Sequence, residues 1–179
     1  MSAKAPARSQ AGKNASIRLA TASDEEAVEA LMAASFGPAR HNRSVRHLRL
    51  GPPEAQLSFV CEKDAQIIGS IRYWPILVGG KRQLLLGPLA VLPDYKGQGF
   101  GRDLVSHSLS VAQKLAYDFI LISGEPDYYP RFGFQPAADL NFLWPGFIEP
   151  ERLQIKYLTE TGAKDTLVPP MAKAILPML

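Results

Sequence analysis

Apolar and polar positions alternate with a period of two over Leu57 to Glu62, where Leu57, Phe59 and Cys61 share one face. They alternate again over Leu153 to Leu158, where Leu153, Ile155 and Tyr157 do the same. Both stretches predict half-buried strands. A helical period takes over after Ser23, with Ala27, Val28, Leu31, Met32 and Ala34 on one side and Gly37-Pro38 as the stop. Ser23 and Glu26 have the spacing of a capping box ahead of that helix. A second helix is predicted from the apolar positions Leu104, Val105, Leu109, Val111, Ala112 and Leu115. Three further runs read as strands: Ile17 to Ala20, the long Ile67 to Val78, and the apolar Leu84 to Leu92 broken by Gly87-Pro88. Phe119 to Ile122, ended by Ser123-Gly124, reads as a fully buried strand. Lys63 to Gln66 is a plausible hairpin turn without glycine, and Gly79-Gly80-Lys81 is a second turn. The predicted order is strand, helix, helix, three antiparallel strands, helix, strand, short helix and closing strands. That order is a mixed α/β sheet.

One turn stands apart chemically. Pro93-Asp94-Tyr95-Lys96 leads into three alternating glycines, Gly97, Gly99 and Gly101, directly before the second helix. The first turn of a helix carries unpaired N–H donors and the positive end of the helix dipole, so it attracts anions. Glycines there let the backbone approach a phosphate closely. The string is no P-loop, because G-x-x-x-x-G-K-[ST] is absent. It is no dinucleotide fingerprint either, since counting from Gly97 puts Arg102 where the last glycine belongs.

Lys96-Gly97-Gln98-Gly99-Phe100-Gly101 resembles the Q/R-x-x-G-x-G/A motif of the GNAT N-acetyltransferases, with Lys96 in place of the usual Gln or Arg. The substitution keeps the charge and loses a bidentate fork. A second string, Tyr129-Pro130-Arg131-Phe132-Gly133-Phe134, resembles the Y-x-x-x-G-F motif of the same family. The doubled Tyr128-Tyr129 and the Arg131-Phe132-Gly133-Phe134 tail are similar to its YhbS-like branch. The resemblance implies the GNAT fold, a mixed, mostly antiparallel sheet flanked by helices, and acetyl-CoA as cosubstrate. It implies that two strands, Leu84–Val91 and Phe119–Ser123, part where the cofactor enters. Leu89, Ala90 and Val91 would then lie along the pantetheine arm, and Lys96, Gly97, Gln98, Gly99, Phe100, Gly101 and Arg102 around the pyrophosphate. Tyr129 would protonate the departing thiolate, with Tyr128 as the fallback acid. No acid stands on the central strand to serve as base; Glu125 and Asp127 are the nearest candidates. A non-catalytic acyl-CoA-binding regulatory domain and a nucleotide-binding module are the rival readings.

Charge and composition change this picture little. The chain has 179 residues, enough for one domain, with a formal charge of +3. Lys4, Arg8, Lys13 and Arg18 supply four positive charges before the first acid, Asp24, and without them the formal charge is −1. The basic pI is therefore no argument for nucleic-acid binding. Residues Met1 to Ser16 read as a disordered tail ahead of a single domain over 17–179; a transit-type leader is the alternative for that acid-free stretch. No apolar run reaches membrane-spanning length. The single Cys61 suits a reducing cytoplasm and reads as a buried hydrophobe. Arg40, Arg43, Arg46 and Arg49, interleaved with His41 and His47, form either a solvated basic face or a site for an acidic group on the acceptor. The histidines lack ligand partners, so no metal is assigned. Phe142, Trp144, Phe147 and Ile148 are expected either in the core or in the acceptor wall, and Val168 to the end as a surface trail. The acceptor is an amine on a small molecule or a protein, and the chain a monomer or homodimer.

Overall fold

The computed structural model describes residues 10–11, 14–38, 44–160 and 173–178. The helices are α1 (Glu25–Phe36) and α2 (Phe100–Ala112). The strands are β1 (Gln10–Ala11), β2 (Ala15–Leu19), β3 (Phe59–Lys63), β4 (Gln66–Val78), β5 (Lys81–Val91), β6 (Phe119–Ser123), β7 (Gln135–Pro136), β8 (Phe142–Leu143), β9 (Leu153–Tyr157) and β10 (Lys173–Pro177). Their order along the sheet is β1-β2-β3-β4-β5-β6-β9-β7, with β10 pairing both β4 and β8. Every pairing is antiparallel except β5 with β6 and β8 with β10. Among the described residues no helix is long and apolar enough to cross a membrane.

Two hairpins set the register of the sheet centre. Asp64 and Ala65 both take positive φ, 49° and 63°, so a glycine-free pair makes the two-residue turn between β3 and β4. Gly79 and Gly80 do the same between β4 and β5. Alternation then sorts the side chains. Leu84, Leu86, Ile71 and Tyr73 face α2, which buries Leu104, Val105, Leu109 and Ala112 against them. On the other face, Val28, Leu31 and Met32 of α1 pack on Val60 and Ala90, and a second cluster gathers around Ile76, Leu85, Leu121 and Ile155.

Several boundaries differ from the expectations. Gln10 and Ala11 pair with Ser16 and Ala15, and most of the remaining tail lies outside the described residues. The acid that closes on the chain ahead of α1 is Asp24, not Glu26. Asp24 Oδ2 accepts from the backbone N–H of Thr21 at 2.7 Å and from its hydroxyl at 2.9 Å. Arg18 adds two further bonds at 2.7 and 2.9 Å, which hold the Asp24 carboxyl well below the usual carboxylate range. In place of a second α-helix, Ser44–Leu48 forms a short 3-10 turn; Arg40, His41 and Arg43 lie outside the described residues. Of the stretch from Val168 expected to trail over the surface, residues 168–172 and 179 lie outside the described residues, and Lys173–Pro177 forms a strand instead. β10 pairs with β4 from Ile175↔Val78 to Pro177↔Ile76, and Ile175 is 2% exposed. Apolar residues that complete a sheet edge and a core cluster leave the surface.

Candidate active site

β5 and β6 run parallel but share only two pairs, Leu84↔Ile120 and Leu85↔Leu121. Beyond Leu85 and Leu121 the strands separate. The buried Gln83 closes the paired end: its Oε1 accepts from the N–H groups of Asp118 and Phe119 at 3.0 and 3.1 Å. On its other edge β5 takes one extra residue relative to β4, since Ile71 and Tyr73 pair with Leu89 and Leu86. This bulge, Gly87-Pro88, lies where the strands part. A cavity of about 850 Å³ fills the gap.

One end of the cavity is made by the glycine turn. Pro93–Tyr95 forms a 3-10 turn, Gly99 precedes α2 at φ 94°, and Phe100 starts the helix. That φ is open to glycine and costly for other residues. Leu89, Val91, Lys96, Gly97, Gly99, Phe100, Gly101 and Arg102 all line the cavity. Two expected residues face elsewhere with their side chains. Ala90 packs under α1, because alternation turns it from Leu89, and the Gln98 amide donates to the Asp94 carbonyl at 2.9 Å. Their backbone groups remain in the turn and strand. The Arg102 guanidinium folds back over Gly99 and is mostly exposed.

At the parting of the strands, the turn after β6 carries Tyr128 and Tyr129, and both line the cavity. Tyr129 is 7% exposed and stacks edge-on with Phe134 and Tyr128 at 5.7 and 5.0 Å between ring centres. Its ring lies on Gly124 so closely that a Cβ there would overlap it. Arg152, just ahead of β9, fixes this turn: the Gly124 N–H donates to its carbonyl, and its guanidinium pairs with Glu125 at 2.7 Å. Burial pushes the Tyr129 phenol above its ordinary value, with the positive charges of Arg49 and Arg152 acting in the opposite direction. The Tyr128 phenol is also raised by burial, and its hydroxyl would stand 3.2 Å from a Cβ on Gly101, at the start of α2.

The remaining wall comes from elements far apart in sequence: Glu29 and Met32 of α1, Arg46 and Arg49 around the 3-10 turn, and Arg72 and Trp74 of β4. Of the carboxylates first considered, Glu125 lines the cavity and Asp127 does not; Glu29 was missed because its helical position carries no motif. Ser44 anchors the arginine-bearing turn. Its hydroxyl donates to the Phe147 carbonyl at 2.6 Å and accepts from Trp144 Nε1 at 2.8 Å. Trp144, Phe142 and Ile148 pack with Val45 and Leu48 in the second core cluster, behind the cavity wall, while Phe147 is 81% exposed. Cys61 is buried and its thiol is pushed up to about 11, so it is an inert core residue. Among the described residues no group of three or more His, Cys, Asp or Glu side chains is placed to hold a metal ion.

A parallel pair that parts at a bulge, with a glycine turn and helix N-terminus at one end of the gap, defines an acyltransferase of the GNAT type. The "Acetyltransferase (GNAT) domain" family matches residues 54–136. The chain is 33% identical over 134 residues to the N-acetyltransferase YhbS of Escherichia coli K12, covering 73% of this chain and 80% of that one, and it belongs to the GNAT acetyltransferase family. The crystal structure of E. coli YhbS in complex with CoA superposes with a TM-score of 0.73 at 28% identity, over 99% of this chain and 94% of that one. A GNAT acetyltransferase from Brucella melitensis in complex with acetyl-CoA shares the fold, with a TM-score of 0.59 at 24% identity over 88% and 91% of the two chains.

Proposed function

We propose that the protein transfers the acetyl group of acetyl-CoA directly to an amine, and that a single acetyltransferase domain does so. The observation that carries this reading is that the glycine turn and Tyr129 open into one cavity. In this reading the backbone N–H groups of Gly97 to Arg102 and the N-terminus of α2 hold the pyrophosphate, with Lys96 and Arg102 adding charge. The unpaired edge of β5 from Leu89 to Val91 takes the pantetheine arm. The acceptor nitrogen attacks the thioester carbon, a strand N–H beside the bulge stabilises the oxyanion, and the C–S bond breaks. The thiolate takes its proton from Tyr129.

The raised Tyr129 phenol keeps its proton throughout the physiological range, so the donor form is always present. The same shift makes full transfer to a thiolate of pKa about 8.5 uphill. Without the charges of Arg49 and Arg152 the difference would be larger. The amine's proton leaves toward the open mouth of the cavity, where Glu29 and Glu125 stand. The buried, solitary Cys61 supports the cytoplasmic setting expected for such an enzyme.

Calorimetric titration with acetyl-CoA, CoA, ATP and NAD, followed by thiol release across a panel of amines, tests this directly. Binding of acetyl-CoA and CoA alone, with amine-dependent release, is the expected result. Binding without release for any amine would favour the regulatory-domain reading, and no CoA binding would remove both.

A further inference from the structure

The acceptor end of the cavity holds more hydrogen-bond donors than acetyl transfer uses. Arg72 stands on β4 opposite the Gly87-Pro88 bulge, because its neighbours Ile71 and Tyr73 pair with Leu89 and Leu86 on either side. It is 9% exposed. Its two terminal nitrogens donate to the Glu25 carboxylate at 3.2 and 2.5 Å, which leaves its buried Nε without an acceptor. Two residues along the same strand face, Trp74 Nε1 is also buried and without an acceptor. Both side chains line the cavity. Arg49 reaches the bulge from the other side: a Cβ on Gly87 would stand 2.8 Å from its Nη2. Arg46 lines the same wall, and among the described residues no carboxylate pairs with it.

Arg and Trp side chains offer donors and no acceptors. The guanidinium groups of Arg46 and Arg49 give this wall donors and positive charge, so its complement is a group made of acceptors. A neutral amide or hydroxyl brings donors of its own and fits worse. A carboxylate or phosphate brings only oxygens and the negative charge that Arg49 and Arg46 favour. The cofactor's own phosphates do not fill this role. The glycine turn begins beyond Val91, roughly 13 Å along β5 from Gly87 at the rise of an extended strand.

We infer that the acceptor is an amine carrying a carboxylate or phosphate close to its nitrogen, docked on Arg46 and Arg49 beside Arg72 and Trp74. The inference rests on the acetyltransferase reading above. It selects amino acids and amino phosphates over polyamines, whose extra positive charges meet Arg46 and Arg49.

The test pairs matched amines in the thiol-release assay: alanine with alaninamide, and O-phosphoethanolamine with ethanolamine. One acidic member exceeds its neutral partner by at least ~10-fold in kcat/KM. Which pair shows the larger ratio tells carboxylate from phosphate. In Arg49→Gln the ratio falls toward one through a rise in KM. Equal rates within both pairs, or a preference for the neutral members, overturn the inference and leave acetyl transfer standing. If no amine in either pair is acetylated, melting of the CoA-saturated protein decides, with acetate or inorganic phosphate added at fixed ionic strength. A rise of ~2 °C that Arg49→Gln abolishes supports the site. No rise, or the same rise in both proteins, overturns it. Failure of acetyl-CoA to bind removes the transferase reading and this inference together.

Discussion

The two ends of the cavity are built in opposite ways. The end proposed for the cofactor is one continuous stretch, Leu89 to Arg102, built of backbone, glycines and a helix start. The end proposed for the acceptor is assembled from side chains of α1, the Ser44–Leu48 turn, β4 and the loop after β6. Backbone geometry suits a ligand that never changes, since every residue can supply N–H groups of the same shape. Side chains suit a ligand that must be told from others, because their identity sets charge and donor pattern. The contrast makes the cofactor end tolerant in its side chains and strict in its conformation, and the acceptor end the reverse.

Four experiments strain that contrast, from the largest effect down. Tyr129→Phe lies where the two ends meet. It lowers kcat by ~10²–10³-fold, the range of a lost general acid, with acetyl-CoA affinity kept; steady-state kinetics beside calorimetry reads both, and equal losses would show a packing role. Gly99→Val tests conformational strictness. A Cβ at φ 94° is strained and presses on Arg102 at 3.2 Å, so acetyl-CoA Kd rises ~100-fold and Tm falls by a few degrees. Ser44→Ala tests the acceptor end from behind. Losing two hydrogen bonds costs about 1–2 kcal/mol of stability and raises acceptor KM a few-fold, with acetyl-CoA Kd unmoved. The smallest effect is in acid. Asp24 is held below its unfolded value of about 4, so the stability it gives is complete above that pH and is lost as pH falls through the lower folded value. Because Asp24 secures the start of α1, hydrogen exchange in α1 should rise below pH ~4 ahead of exchange in α2, and Asp24→Asn should abolish that difference.

How much was legible follows the same division. The glycine turn, the helix after it and the Tyr129 string are local, and their spacing survives being read as a string. β3 to β6 were legible because buried strands carry continuous or alternating apolar runs. The acceptor wall was not, since Arg72, Trp74 and Glu29 meet only after the sheet forms, and each looks ordinary among its sequence neighbours. Arg46 and Arg49 were singled out as charges, but their aim into the cavity depends on Ser44 and on Trp144, far along the chain. The core-or-wall question for Trp144 has an answer that alternation could not give: it packs behind the wall and holds the turn that forms it. β10 was missed because its short apolar run near the chain end has no turn signal to join it to β4.

The bonds from Ser44 to Trp144 and Phe147 span 100 and 103 residues, and both of their ends fall outside the 54–136 block that defines the family. That block can pass down a lineage nearly intact, carrying the cofactor turn with it. Changes of acceptor would then be written in the flanks as well as at Arg72 and Trp74 inside the block, and in the flanks a substitution at Ser44 leaves Trp144 idle unless the second site follows. In this lineage the two distant positions should change as a pair, and part of the history of substrate choice is to be read from their joint substitutions.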